Sequence, residues 1–196
     1  VFIEFNRKEN GILDLLPKKH VDTGMGFERL CMVLQNKKST YDTDIFKDLI
    51  KQVSLVSDVS YGYSGNTDVA IRVIVDHIRA IVFAISDGQL PSNNGAGYVI
   101  RRILRRAVRY GYTYLNLKEP FLHTLVEVLA KQFKNIFKEV DQNKLMIKNV
   151  IEEEEKVFLK TLGKGLLLIN ESMSRLENGV AEMSGYDVFE LYDTYG

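Results

Sequence analysis

Pro91-Ser-Asn-Asn-Gly-Ala-Gly-Tyr-Val-Ile-Arg-Arg-Ile-Leu-Arg-Arg-Ala-Val-Arg-Tyr-Gly111 is the stretch around which the chain is organised. Pro91 and the Asn-Asn-Gly run read as a turn, since each favours backbone geometry that a helix interior avoids. A helix is predicted from about Gly97, with Gly111 as its natural stop. At 100° per residue, Arg101, Arg102, Arg105, Arg106 and Arg109 fall within an arc of about 140°. Ile100, Ile103, Leu104, Ala107 and Val108 take the opposite side. One face is therefore core and the other a row of guanidinium groups. No acidic residue lies between Asp87 and Glu119, so the row lacks partners at helical spacing. Arginine suits bidentate contact with phosphate oxygens better than lysine. Two readings of the row stand at this point. It binds nucleic-acid backbone, or it is a solvated or salt-bridged face answered by the Glu152 to Glu155 run.

Composition limits the alternatives. With 196 residues the chain is one or two domains and can bury a real core. Lys plus Arg and Asp plus Glu both number 26, so net charge gives no vote for nucleic acid and only the clustering does. The lone Cys31 excludes an internal disulfide and fits a reducing, cytoplasmic compartment. No apolar run reaches membrane-spanning length and no signal peptide is visible. Cys31 and the three histidines show no metal-ligand spacing. Opening on Val and ending within Leu-Tyr-Asp-Thr-Tyr-Gly, the chain reads as an internal piece of a longer one.

Outward from the arginine helix, Val1 to Asn6 is rich in strand formers, and Asn10-Gly11 is a hairpin signal. Ile12 to Leu16 is the expected return strand, ended by Pro17, with a further short strand at Lys19 to Thr23. Then Asp22-Thr-Gly-Met-Gly-Phe-Glu-Arg29 is a strand, a glycine-bearing turn and a helix start. Glycines there let a backbone or a flat ligand come close, and an Arg one turn into a helix can meet a phosphate or lie over a purine. The pattern is neither a P-loop nor a dinucleotide fingerprint, and glycines at such a junction also serve purely structural ends. Further helices are predicted at Asp44 to Val56, Asp68 to Ser86 (capped by Thr67, closed by Gly88), Phe121 to Phe137, Asp141 to Glu177 and Val188 to Tyr195. Asp76, His77 and Arg79 are expected in a partly buried ionic network, and Glu152 to Glu155 as a solvated face.

Taken together, these blocks resemble an internal part of the alanyl-tRNA synthetases, a class II aminoacyl-tRNA synthetase family. Val-Asp-Thr-Gly-Met-Gly-Phe-Glu-Arg at 21–29 is similar to the family's motif 3. The blocks at 72–79, 87–93, 97–109 and 191–196 are similar to its tRNA-recognition region. The resemblance implies a mainly α fold, with residues 1–40 as the last antiparallel strands and motif 3 helix of a catalytic sheet. Residues 41–196 would be a helical domain holding the tRNA acceptor stem. It implies ATP contact by Gly24, Gly26 and Arg29, alanine contact by Asp22 and Val1, and tRNA contact by Asn93, Asp193 and the five arginines. Asn93 and Asp193 would read a G·U wobble pair. The implied activity is ATP- and Mg²⁺-dependent coupling of alanine to the 3′ end of its tRNA. Zinc is expected only in an editing domain beyond this chain, and motifs 1 and 2 before it, so the piece alone should be inactive. The competing class is a non-catalytic helical module that binds RNA or protein.

Overall fold

A computed structural model of the chain describes residues 2–63, 65–177 and 183–190. Contacts divide the chain into two units, 1–45 and 46–196.

The first unit is a hairpin and a helix. Strands β1 (Phe2–Arg7) and β2 (Leu13–Val21) pair antiparallel. Their turn closes through Lys8 N–H to Ile12 O at 2.9 Å, Gly11 N–H to Lys8 O at 2.9 Å and Ile12 N–H to Asn10 Oδ1 at 3.2 Å. Gly11 sits at φ +83°, a conformation that favours glycine. Pro17 does not end the return strand, contrary to the sequence reading. Ile3 pairs with His20 and Phe5 with Leu15, so Glu4 alone opposes the residues from Leu16 to Lys19. Proline cannot donate to a ladder, and a bulge lets β2 run past it. The hairpin buries little: Phe2, Phe5, Leu13 and Leu15 are all exposed. Helix α1 (Phe27–Leu34) follows the glycine turn. Asn36 at φ +51° ends it, with Lys37 N–H on Met32 O at 2.9 Å.

The second unit is helical. It takes in most of α2 (Asp44–Ser57), with α3 (Gly65–Ser86), α4 (Gly95–Tyr114), α5 (Leu122–Phe133), α6 (Lys138–Gln142), α7 (Lys144–Glu177) and α8 (Gly185–Glu190). Helix α3 is its centre. Ile71, Ile74, Ile78, Ile81 and Ile85 are fully buried or nearly so, each contributing about 1.5–3 kcal/mol of apolar burial. Gly88 at φ +89° closes α3 as expected, with its N–H on Ile85 O at 2.9 Å. Gly111 is a different case. Instead of stopping α4 it lies buried within it, where a Cβ would meet the Phe121 ring at 2.6 Å. It is a close-approach glycine, and the chain turns only at Asn116, φ +55°. The expected network at Asp76, His77 and Arg79 is present in part. Asp76 is exposed and accepts from His77 Nδ1 at 3.2 Å, a bond that holds its carboxyl below the ordinary range. Arg79 lies over the Phe46 ring at 4.9 Å. Among the described residues no helix is long and apolar enough to cross a membrane.

The largest departure from the sequence reading is at Glu152 to Glu155. Four consecutive helical residues sweep about 300°, so the run cannot be one solvated face. Glu155 falls in register with Ile147, Ile151, Phe158 and Leu162 and is fully buried. Its carboxylate accepts from Phe121 N–H at 3.0 Å and Leu122 N–H at 3.1 Å. These are orphan donors at the start of α5, whose own N-cap residue supplies no side-chain bond. Burial pushes the carboxyl up to about 8, against the pull of the two N–H groups. In the unfolded chain it titrates near 4.5. The unfolded state therefore loses its proton first as pH rises, and stability should fall between those two values and then level off. On the order of 3 kcal/mol is at stake by neutral pH. Glu155→Gln keeps an acceptor and removes the titration. Its denaturation midpoint should gain on the wild type from pH 5 to 8, and parallel curves would show that the carboxyl is not protonated in the fold.

Candidate functional site

The sequence-expected residues fall in two places, one in each unit. In the first, β2 ends at Val21, residues 22–26 form an irregular turn, and α1 starts at Phe27 with Gly26 as its N-cap. This is the strand, glycine turn and helix start expected from the sequence. No side chain caps the helix there, so backbone donors at the N-terminus of α1 face the same turn as the glycines. Neither Gly24 nor Gly26 has positive φ. A Cβ at Gly24 would meet nothing within 4 Å, and one at Gly26 only the stem of Arg29, at 3.5 Å. Among the described residues nothing therefore requires glycine at either position. Arg29 is exposed, its stem lying alongside Gly26. Asp22 is exposed at the end of the strand and has interactions of its own. Val1 lies outside the described residues.

The second place is the start and outer face of α4. The preceding loop is stitched to the helix. Ser92 N–H bonds Gly97 O at 3.0 Å and Ser92 Oγ donates to Asn94 O at 2.8 Å. Gly95 takes φ +57°. Gly97 is buried, and a Cβ there would stand 2.3 Å from Ser92 Oγ and 2.4 Å from Leu90 O. Only glycine admits this approach, and the result is an exposed Asn93 on a loop with little freedom. Asp193 lies outside the described residues.

The five arginines do not share one environment. Arg101 grips Glu154 of α7 with two bonds, Nε to Oε2 at 3.0 Å and Nη2 to Oε1 at 2.5 Å. Both side chains of this pair are only 19% exposed. Its third nitrogen, Nη1, donates to Asn93 Oδ1. Arg105 lies over the Phe158 ring at 5.2 Å, with its Nε buried. Arg102, Arg106 and Arg109 are exposed. They occupy an arc of about 60° on the helix and span roughly 10 Å along it. The two readings of the row thus divide it: the edge nearer α7 is salt-bridged or packed, and the outer edge faces solvent.

A residue that sequence reasoning missed lies beside this strip. Tyr98, one turn before Arg102 on the same line, is exposed and adds an aromatic face. Its spacing of four from Arg102 was the available signal. Glu154 belongs to the Glu152 to Glu155 run that one of the two sequence readings set against the row, and it meets the row through Arg101.

These features define a class. The chain belongs to the class II aminoacyl-tRNA synthetases: the family described as "tRNA synthetases class II (A)" matches residues 1–196. Among curated relatives it is similar to the alanine–tRNA ligase of Christiangramia forsetii, 56% identical over 196 residues, and to that of Cytophaga hutchinsonii, 57% identical over 197. The alanine–tRNA ligase of Bacteroides fragilis is 53% identical over 197 residues. All of this chain is covered each time, but only 22%, 22% and 23% of the relatives' own lengths.

The geometry of the loop can be tested directly. Gly97→Ala forces Leu90 and Ser92 away from the helix and should destabilise the helical unit by about 1–3 kcal/mol. Chemical denaturation checks this, and an unchanged midpoint would mean that the loop is not held as described.

Proposed function

We propose that the chain is the part of an alanine–tRNA ligase that carries acceptor-stem recognition together with part of the ATP and alanine site. The observation that carries this reading is the strip of exposed Arg102, Arg106 and Arg109 leading away from the stitched loop that displays Asn93. Cations in a line suit backbone phosphates, which position a nucleic acid without reading it. An exposed amide on a held loop suits a base edge, which specifies. Asp193, with acceptors only, would take the guanine 2-amino group that a G·U wobble leaves unpaired in the minor groove. Arg101 and Arg105, assigned to RNA contact on sequence grounds alone, have structural partners, so the direct phosphate contacts are given to the other three.

In the first unit, Gly24 and Gly26 would border ATP and Arg29 would meet its phosphates or base, with Asp22 and Val1 at the alanine. Without a Cβ, Gly24 and Gly26 leave room beside the backbone for a ligand to come close. The N-terminus of α1 and the Arg29 cation favour an anionic ligand. Positioning and electrostatic stabilisation of the phosphorus centre would carry the chemistry, more than a protein nucleophile. The family reaction is expected to use Mg²⁺ with ATP. Among the described residues no three His, Cys, Asp or Glu side chains form a metal site. A purely helical binding module has no need of the strand, glycine turn and Arg29.

Three outcomes are expected in the full-length protein. Arg29→Ala should lower alanine-dependent ATP–pyrophosphate exchange by orders of magnitude, and unchanged exchange would make the glycine turn structural. Arg102→Gln with Arg106→Gln should weaken cognate and non-cognate stems alike and flatten the salt dependence. A loss confined to the cognate stem would count against backbone contact. Asn93→Ala or Asp193→Ala should cost about 1–3 kcal/mol toward a G·U stem and little toward a G·C stem. Aminoacylation of the two substrates side by side decides it, and a preserved G·U preference in both variants would remove these residues from the readout.

A further inference from the structure

We propose that Arg101 and Glu154 are positioning residues that fix the direction of the Asn93 side-chain amide, so that its NH₂ group is what the loop presents outward. The inference rests on the reading of Asn93 as a base-contacting residue and specifies how that contact is made. An asparagine amide has an acceptor side and a donor side, while arginine has donors only. Arg101 Nη1 reaches the Asn93 amide and can meet only its Oδ1. Nδ2, with two N–H donors, is thereby turned away from Arg101. The guanidinium is itself held. Nε and Nη2 engage both oxygens of Glu154 at 3.0 and 2.5 Å, a fork-on-fork arrangement that fixes the plane of the group. The other end is held as well, through Ser92 N–H on Gly97 O and Ser92 Oγ on Asn94 O. The relay therefore runs from α7 through α4 to an exposed loop. Its product is a donor, which suits a minor-groove acceptor such as a pyrimidine O2 or purine N3, and does not suit the guanine 2-amino group.

The test is kcat/KM for aminoacylation by the full-length protein, measured on paired acceptor stems with G·U or G·C at the recognised position. Asn93→Asp retains the grip of Arg101 but has no donor, so it should lose the G·U preference as fully as Asn93→Ala. Glu154→Gln and Arg101→Lys should each lower the preference, by roughly tenfold, since neither preserves the two-pronged hold on a fixed guanidinium plane. If Asn93→Asp keeps or raises the preference, Asn93 acts as an acceptor and the proposed direction is wrong. If Glu154→Gln lowers kcat/KM for both stems by one factor and leaves their ratio intact, the ion pair is only structural and the relay is overturned. A different failure is recognisable: should Asn93→Ala itself retain the wild-type preference, the base-reading role falls, and the relay with it. Asn93 is exposed, so its two variants report even if a change at the ion pair unsettles the helices.

Discussion

The helical unit depends on what α7 does with two adjacent carboxyl groups, those of Glu154 and Glu155. Glu155 is driven inward by the period of its helix and is tolerated there because it meets the backbone N–H groups of Phe121 and Leu122. An uncompensated buried carboxyl would cost several kcal/mol. Bonded in this way, it instead supplies the N-terminal cap that α5 lacks. Glu154, 100° around the helix, turns to α4 and takes Arg101. One turn of α7 thus ties the start of α5 and the face of α4 into one arrangement. The loop carrying Asn93 is joined to that arrangement through Arg101.

That constraint also sorts the arginines. A guanidinium with both prongs on a part-buried carboxylate cannot be released to a phosphate without leaving the carboxylate unpaired, a loss larger than an exposed phosphate contact returns. Arg105, laid on Phe158, similarly covers apolar surface with its stem. What remains for a partner is the strip of Arg102, Arg106 and Arg109 with Tyr98 beside it. Two of the five arginines build the platform and three face outward. Among its described residues the first unit has no comparable core. Its hairpin exposes Phe2 at 85% and Leu15 at 66%, and a two-stranded ribbon is marginal alone in water.

The mainly α architecture, the hairpin at Asn10-Gly11, the glycine turn before α1 and the cap at Gly88 were all legible in the sequence, because each rests on local backbone preference or on helical period. Family membership was legible too, from blocks in order. The misreadings have one physical origin. Gly111, Pro17 and the Glu152 to Glu155 run were judged by their own neighbourhoods, whereas tertiary contacts decide them: the ring of Phe121, a bulge opposite Glu4, and the orphan donors of α5. The glutamate run did carry a usable signal, since Ile147, Ile151, Glu155, Phe158 and Leu162 are spaced by four, four, three and four. Arg101 and Arg106 look alike in sequence, and only the packing of α7 against α4 separates them.

The division of the arginine row is the central claim, and dicarbonyl labelling of arginine read by mass spectrometry tests it most directly. The full-length protein would be labelled with and without an excess of the acceptor-stem duplex. Arg102, Arg106 and Arg109 should react readily in the free protein and be protected by the duplex, while Arg101 and Arg105 react slowly in both samples. Uniform reactivity of all five in the free protein would contradict the division. Unchanged labelling of Arg102, Arg106 and Arg109 with duplex demonstrably bound would contradict their role as the surface that holds it.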